Sequence, residues 1–300
     1  MYARRHPFLF FLIITVICST IMFSGFVLLL SFGSKMVSSG FASNYASSNG
    51  NIGIVEINGI ILSSKKIIQN IKTFRDDDSI KAIILRIDSP GGGIGPSQEI
   101  YREVMKTKRD KKIITSMGSV AASGGYYIAS ATNKIIANAG TLTGSIGVIM
   151  EYANIEEIAK KIGISPVVIK SGKFKDIGSP LRELNDAERK ILQDLVNELH
   201  LQFVNDAAKA RGIDVETMLT LADGRVYSGQ KALDLNLIDR LGNLDDAVQW
   251  VGELAGIKEE LKPVYPKEDK ITFIKRLADT LFKDLNISGT VTDNLRYIIN

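Results

Sequence analysis

Ser123 stands in Met117-Gly118-Ser119-Val120-Ala121-Ala122-Ser123-Gly124-Gly125-Tyr126-Tyr127, after the β-branched run Ile113-Ile114-Thr115 and ahead of a helix-like segment reaching Ala131. A serine at a strand-to-helix junction, flanked by Ala and Gly, keeps its hydroxyl exposed and lets a substrate approach the main chain. The next amide, on Gly124, falls at a helix N-terminus, where N–H groups lack intrahelical acceptors and favour negative charge. A nucleophile and half of an oxyanion hole can share such a turn. The competing reading of the same segment is a tight small-residue turn with no chemistry.

A serine nucleophile needs a base, and the inventory is short. The chain has two histidines. His6 precedes a long apolar run, and His200 lies within a helical pattern (Asn197-Glu198-Leu199-His200-Leu201) that reads as a partly exposed helix face. His200 keeps a Ser-His-Asp triad formally open. The single cysteine, Cys18, sits inside the apolar run, which excludes a thiol nucleophile, an intrachain disulfide and a cysteine zinc site. A lysine remains. At its ordinary pKa of about 10.4 a lysine is useless as a base at neutral pH, but desolvation lowers that value by several units. Lys170-Ser171-Gly172-Lys173-Phe174-Lys175-Asp176-Ile177-Gly178-Ser179-Pro180 follows Val167-Val168-Ile169, which reads as a buried strand, and its glycines and proline punctuate a loop. The residues alone do not choose Lys175 over Lys173, and a surface loop is the plainer reading.

A second constellation is Ala82-Ile83-Ile84-Leu85-Arg86-Ile87, a buried-strand pattern that runs into Asp88-Ser89-Pro90-Gly91-Gly92-Gly93. Pro90 fixes a bend and the glycines permit close backbone approach. The turn lacks Gly-x-x-x-x-Gly-Lys-Ser/Thr, and the chain has no Gly-x-Gly-x-x-Gly, so a phosphate cradle is disfavoured.

Taken with Gly140-Thr141-Leu142-Thr143-Gly144-Ser145-Ile146-Gly147-Val148 and Arg225-Val226-Tyr227-Ser228-Gly229, these segments resemble the signal peptide peptidase A (protease IV) family of serine–lysine peptidases in its short, single-catalytic-domain form. They run in family order from residue 54 to about residue 250, over most of the chain beyond the apolar run. The resemblance implies an α/β fold, a crotonase/Clp-protease-like spiral of ββα units with a largely helical C-terminal part. It assigns Ser123 as nucleophile and Lys175 as general base and then acid. The Gly124 amide, and that of Gly92 with Gly91 as the alternative, form the oxyanion hole. Ser145 orients the lysine amine, which needs a hydrogen-bond partner once buried. Implied substrates are remnant signal peptides and other membrane-associated or unfolded polypeptides, handled by a ring- or dome-shaped homo-oligomer with no metal, nucleotide or organic cofactor. An acid beside Lys175 would raise the amine's pKa, so Asp176 is expected to point away, into the loop's own hydrogen bonds. One departure from the family is Asn236, where glycine is common; Asn tolerates the left-handed conformation that such a cap requires. Rival readings are a crotonase-fold acyl-CoA enzyme and a non-catalytic membrane scaffold.

The ends of the chain add a location. Phe8 to Phe32 carries no charge over about 25 residues, against about 20 needed to span a bilayer. Arg4 and Arg5 before it keep residues 1–7 cytoplasmic and send the remainder outward. Residues 8–32 thus read as a single-pass anchor in the cytoplasmic (inner) membrane, with the catalytic domain on the periplasmic or extracytoplasmic side. A cleavable signal peptide is the alternative, but its small-x-small site, Gly40-Phe41-Ala42, lies well past the apolar run. Residues 33–50 read as a tether, 51–262 as the peptidase domain and 263–300 as a tail, with Ile271, Ile274, Leu277 and Leu281 sharing one helical face. Of the 37 basic residues three fall in 1–50, so 34 face 33 acids in the remainder, a balance that gives nucleic-acid binding no support.

Between these ends, strand runs alternate with helical patterns: Ile52–Ile60 then Ser63–Phe74, and Ala82–Ile87 then Ser97–Lys108 with Ile100, Val104 and Met105 on one face. The helix from Ser123 leads to Ile135-Ile136-Ala137. Repeated βαβ units predict a mainly parallel sheet with helices outside it. From Asn185 to Arg211 a long helix is expected, with Ala187, Ile191, Leu195, Leu199 and Val204 spaced for one face.

Overall fold

The computed structural model describes residues 50–266, so the expected anchor at 8–32, the tether before residue 50 and the tail beyond 266 lie outside the described residues. No described helix is long and apolar enough to cross a membrane.

Three central strands, β1 (Ile52–Asn58), β2 (Ala82–Ser89) and β3 (Lys112–Ala122), run parallel in register, with Ile54, Ile84 and Ile114 abreast. Their near-continuous β-branched and aliphatic sequences suit a sheet covered on both faces, and Ile83, Ile84, Leu85, Ile113 and Ile114 are fully buried. Helices α1 (Lys65–Asp76) and α2 (Ile94–Thr107) form the crossovers. Arg75 on α1 ties the two together by donating to the buried Glu103 carboxylate of α2 at 2.6 Å.

β3 is far longer than its β-branched core predicts, because the small residues 118–122 continue the strand. Its first half pairs with β4 (Lys134–Ala137), Ile114 opposite Lys134 and Ser116 opposite Ile136. Its last residues change neighbour and pair with β5 (Leu142–Gly144), Val120 opposite Leu142 and Ala122 opposite Gly144. Between the halves the register against β2 slips: Ile87 faces Met117, but Ser89 faces Ala121. The short helix α3 (Gly124–Ser130) follows at once and is wholly buried. The sheet includes the order β6 (Val226–Ser228), β5, β3, β2, β1, with β4 and then β7 (Arg240–Leu241) branching from β3; β5 and β6 pair antiparallel, whereas β3–β4, β3–β5 and β4–β7 are parallel like the central three strands.

Around this sheet lie α4 (Glu156–Lys161), α5 (Asp186–Arg211), α6 (Val215–Leu221), α7 (Gly229–Asp234) and α8 (Leu244–Ala255). α5 opens on a capping box in which Asn185 accepts from the Glu188 amide and Glu188 accepts from the Asn185 amide. Asn236, after α7, has φ 58°, the left-handed conformation expected there.

One expectation fails, and the helix after it shares the reason. Val167-Val168-Ile169 is not a buried strand; these side chains are 87%, 53% and 97% exposed. The apolar run is real, but no described strand lies beside it to pair its backbone and cover its faces. The first half of α5 likewise leaves Ala187, Ile191 and Leu195 exposed and Leu199 half-buried, and burial deepens only around Phe203, Val204, Ala207 and Ala208.

Candidate active site

Ser123 occupies the single residue between β3 and α3, with φ 51° and ψ −120°. Left-handed φ is strained for a residue with a Cβ and persists only where the surroundings enforce it. Here they do. The Ser123 amide donates to the Gly144 carbonyl at 2.8 Å, and its carbonyl accepts from the Tyr127 amide at 2.9 Å. The sharp turn leaves Ser123 half-buried, and its hydroxyl has no hydrogen-bond partner among the described residues. A strained strand-to-helix turn carrying a serine is the geometry of a nucleophile elbow.

The glycine turn after β2 packs directly against this elbow. Gly91 (φ 108°) lies so close that a Cβ there would come within 2.8 Å of both the Gly124 nitrogen and the Ser123 Cβ. A Cβ on Gly124 would sit 3.3 Å from the Gly92 nitrogen. The hydrogen bonds then separate Gly91 from Gly92. The Gly91 amide donates to Ser89 Oγ at 3.1 Å and the Gly93 amide to the Ile61 carbonyl at 2.8 Å. Gly92 between them donates to nothing among the described residues, and neither does Gly124. Two unpaired amides therefore flank the Ser123 hydroxyl, one at a helix N-terminus, where an oxyanion is favoured. Ile61 also donates to the Gly91 carbonyl at 2.9 Å, so a strap from the end of β1 clamps the turn on both sides. Neither Ser89 nor Ile61 was picked out from the sequence as shaping the site. Ser89 lies inside the quoted motif, whereas Ile61 carries no local signal.

Ser145 follows Gly144, whose pairing with Ala122 brings it alongside Ser123. It too has a positive φ, 48°, its amide donates to the Arg225 carbonyl at 2.9 Å, and its hydroxyl is unpaired among the described residues. A cavity of about 30 Å³ opens beside the elbow, walled by Ser97, Ser123, Tyr127, Val148, Leu199 and Phe203. Tyr127 is fixed there by ring contacts with Tyr101 and Phe203, centroids 4.9 and 4.7 Å apart, and by donating its hydroxyl to Asp206. Burial, and then the Asp206 carboxylate, push the Tyr127 hydroxyl's pKa up, so the wall stays uncharged. A far larger cavity, about 930 Å³, lies at the foot of the 150–154 segment against Glu183 and Arg189; it holds none of the candidate residues.

Lys175 is where site and sequence part company. It is exposed, lies outside the lining of the Ser123 cavity, and its amine has no partner among the described residues. Its neighbour Asp176 does turn away. That carboxylate accepts from Lys170 Nζ at 2.6 Å and Arg182 Nε at 2.9 Å, and Arg182 first, then Lys170, hold it well below the usual carboxylate range. Arg182 also grips the buried Glu188 at 2.6 Å, anchoring the end of the loop to the α5 cap. His200 is half-buried on α5 with its Nε2 unpaired, and no carboxylate orients its ring, so the described residues form no Ser-His-Asp triad.

A family-wide sequence profile, Peptidase family S49, matches residues 105–258. A protein of Synechocystis sp., provisionally named a protease, is 40% identical over 247 residues, covering 81% of this chain and 89% of that protein. The chain belongs to peptidase family S49. Further members include the Arabidopsis thaliana "Serine protease SPPA, chloroplastic", 34% identical across 72% of this chain and 31% of its own length. "Protease 4" of Salmonella typhi is 31% identical across 79% of this chain and 39% of its own. The chain thus spans less than half the length of these two S49 relatives and nearly all of the first.

Proposed function

We propose that this S49 peptidase is a membrane-anchored serine endopeptidase with a Ser123–Lys175 dyad. The observation that carries the reading is the strained Ser123 elbow between two unpaired amides. Ser123 Oγ attacks the peptide carbonyl as its proton passes to the uncharged Lys175 amine, and the oxyanion that forms is held by the Gly92 and Gly124 N–H groups. The C–N bond breaks as Lys175 returns the proton to the leaving amine, leaving an acyl-serine. Water then adds, giving a proton to Lys175, and Ser123 departs by taking it back. Ser145 orients the amine.

Lys175 enters this scheme through assembly. The segment 148–174 exposes Ile149, Ile158, Ile162, Ile164, Val167, Val168 and Ile169, more apolar surface than a solvated loop retains without covering. Packing that segment on another copy of the chain, in a homo-oligomer, excludes water from the groove and brings an uncharged lysine to the serine. Residues 8–32 hold the domain at the outer face of the cytoplasmic membrane, where remnant signal peptides and unfolded polypeptides are the substrates. The test is a fluorophosphonate probe with mass mapping. It should label Ser123 in the wild type, fail on Ser123→Ala and react at least about 10³-fold slower on Lys175→Ala. Labelling elsewhere, or normal labelling of Lys175→Ala, overturns the dyad.

A further inference from the structure

We infer that Asp88 is a positioning residue for this site: its carboxylate holds the arch in β3 that aims Ser123 at the Gly92 amide. The inference rests on Ser123 as nucleophile. Between the Ile87–Met117 and Ser89–Ala121 pairs β2 has one residue, Asp88, and β3 has three, so residues 118–120 fall outside the β2–β3 register. Asp88 fills the gap. Its Oδ1 accepts from the Val120 amide at 3.0 Å, and its carboxylate lies flat on Gly118, where an added Cβ would come within 2.8 Å of Asp88 Cγ. From the opposite flank Thr141 donates its hydroxyl to the Gly118 carbonyl at 2.8 Å. The arch is pinned on both sides at the place where β3 leaves β4 for β5.

That change of neighbour gives the arch its consequence. Only after the offset does Ala122 pair with Gly144, the carbonyl of Gly144 receive the Ser123 amide, and the elbow meet the glycine turn. The Asp88 main chain joins the same junction, its carbonyl accepting from the Gly59 amide at 2.9 Å next to the strap that holds Gly91 and Gly93. One residue therefore links the nucleophile strand to the oxyanion turn. Because Asp88 is exposed, water can satisfy the Val120 amide once the carboxylate is removed. The loss then falls on alignment more than on folding, and small misplacements of reacting groups are expensive.

The experiment compares Asp88→Ala and Asp88→Asn in the full chain, using peptide turnover, the rate of Ser123 labelling and thermal melting. D88A should lower kcat and the labelling rate about 10- to 100-fold with KM within about threefold and melting shifted by less than about 5 °C. D88N, whose amide oxygen accepts the same N–H, should stay within about threefold of the wild type. Full-rate D88A, or D88N as slow as D88A, overturns the inference. If D88A does not fold, Thr141→Val releases the arch from its other flank and should show the same kcat-selective loss; full activity there overturns it equally. A wild-type protein unlabelled at Ser123 would instead remove the nucleophile itself, a distinct result.

Discussion

The region around Ser123 and the arm from 148 to 184 obey opposite rules. Around Ser123 the main chain is tied down on both sides, the Ser123, Gly91 and Gly93 amides all donating while the Gly92 and Gly124 amides stay free, and Ser89, Ile61, Gly144 and Tyr127 hold the turn. The arm is tied to α5 through Asp176, Arg182 and Glu188, while most of its large apolar side chains face outward. A lone chain can leave two amides free beside a serine because strand pairing and close backbone approach are internal to it. The proposed dyad asks for more, since drying a lysine takes a second apolar surface to displace water.

The comparison breaks most severely if the arm proves to be an ordinary surface. Val167→Asp with Ile169→Asp should convert the oligomer to monomers by light scattering and lower peptidase activity at least about 10³-fold. Burying each such side chain is worth about 1.5–3 kcal/mol, and a buried unpaired carboxylate costs more. Melting of the sheet domain should be unchanged; full activity in a monomer would end the assembly reading. On the other side, Gly92→Ala places a Cβ 2.6 Å from the Ile61 nitrogen and displaces the free amide, for an expected kcat loss of about 10²–10³-fold. Gly95→Ala, with nothing within 4 Å, should leave kcat unchanged. The smallest effect concerns the foot of the arm. Asp176 and Glu188 are both held below their ordinary pKa values by Arg182, so their contribution is present above the usual carboxylate range and lost as pH falls through and below about 4. Amide exchange over 172–188, corrected for intrinsic rates, should accelerate below that pH. In Arg182→Ala it should already be fast at pH 7 and respond less to acid.

Much of the site was legible in one dimension. The Ser123 junction follows from a strand pattern, a small-residue run and a helix; the glycine turn follows from Pro90 and three consecutive glycines; Asn236 takes the left-handed φ its position requires. The choice of Gly92 over Gly91 was not legible, because it depends on Ser89 Oγ folding back on Gly91 and on Ile61 crossing from β1. Nor was the length of β3: Gly118-Ser119 looks like a turn, yet it continues the strand, with Asp88 accepting from the Val120 amide and Thr141 donating to the Gly118 carbonyl. The segment 167–169 differs from its expected buried strand for the converse reason, as an apolar run favours burial but supplies no neighbouring strand to bury it, and these side chains stand exposed.

From its order of residues alone this chain declares its family, its alternating strands and helices, its serine and its glycine turn, since each is a local pattern that backbone sterics read directly. Which amide is left unpaired, how β3 bends to present the serine, and that Lys175 stands outside the cavity of its own chain were decided in three dimensions. Those outcomes turn on hydrogen-bond competition and burial between segments far apart along the chain, and no local pattern records the winner.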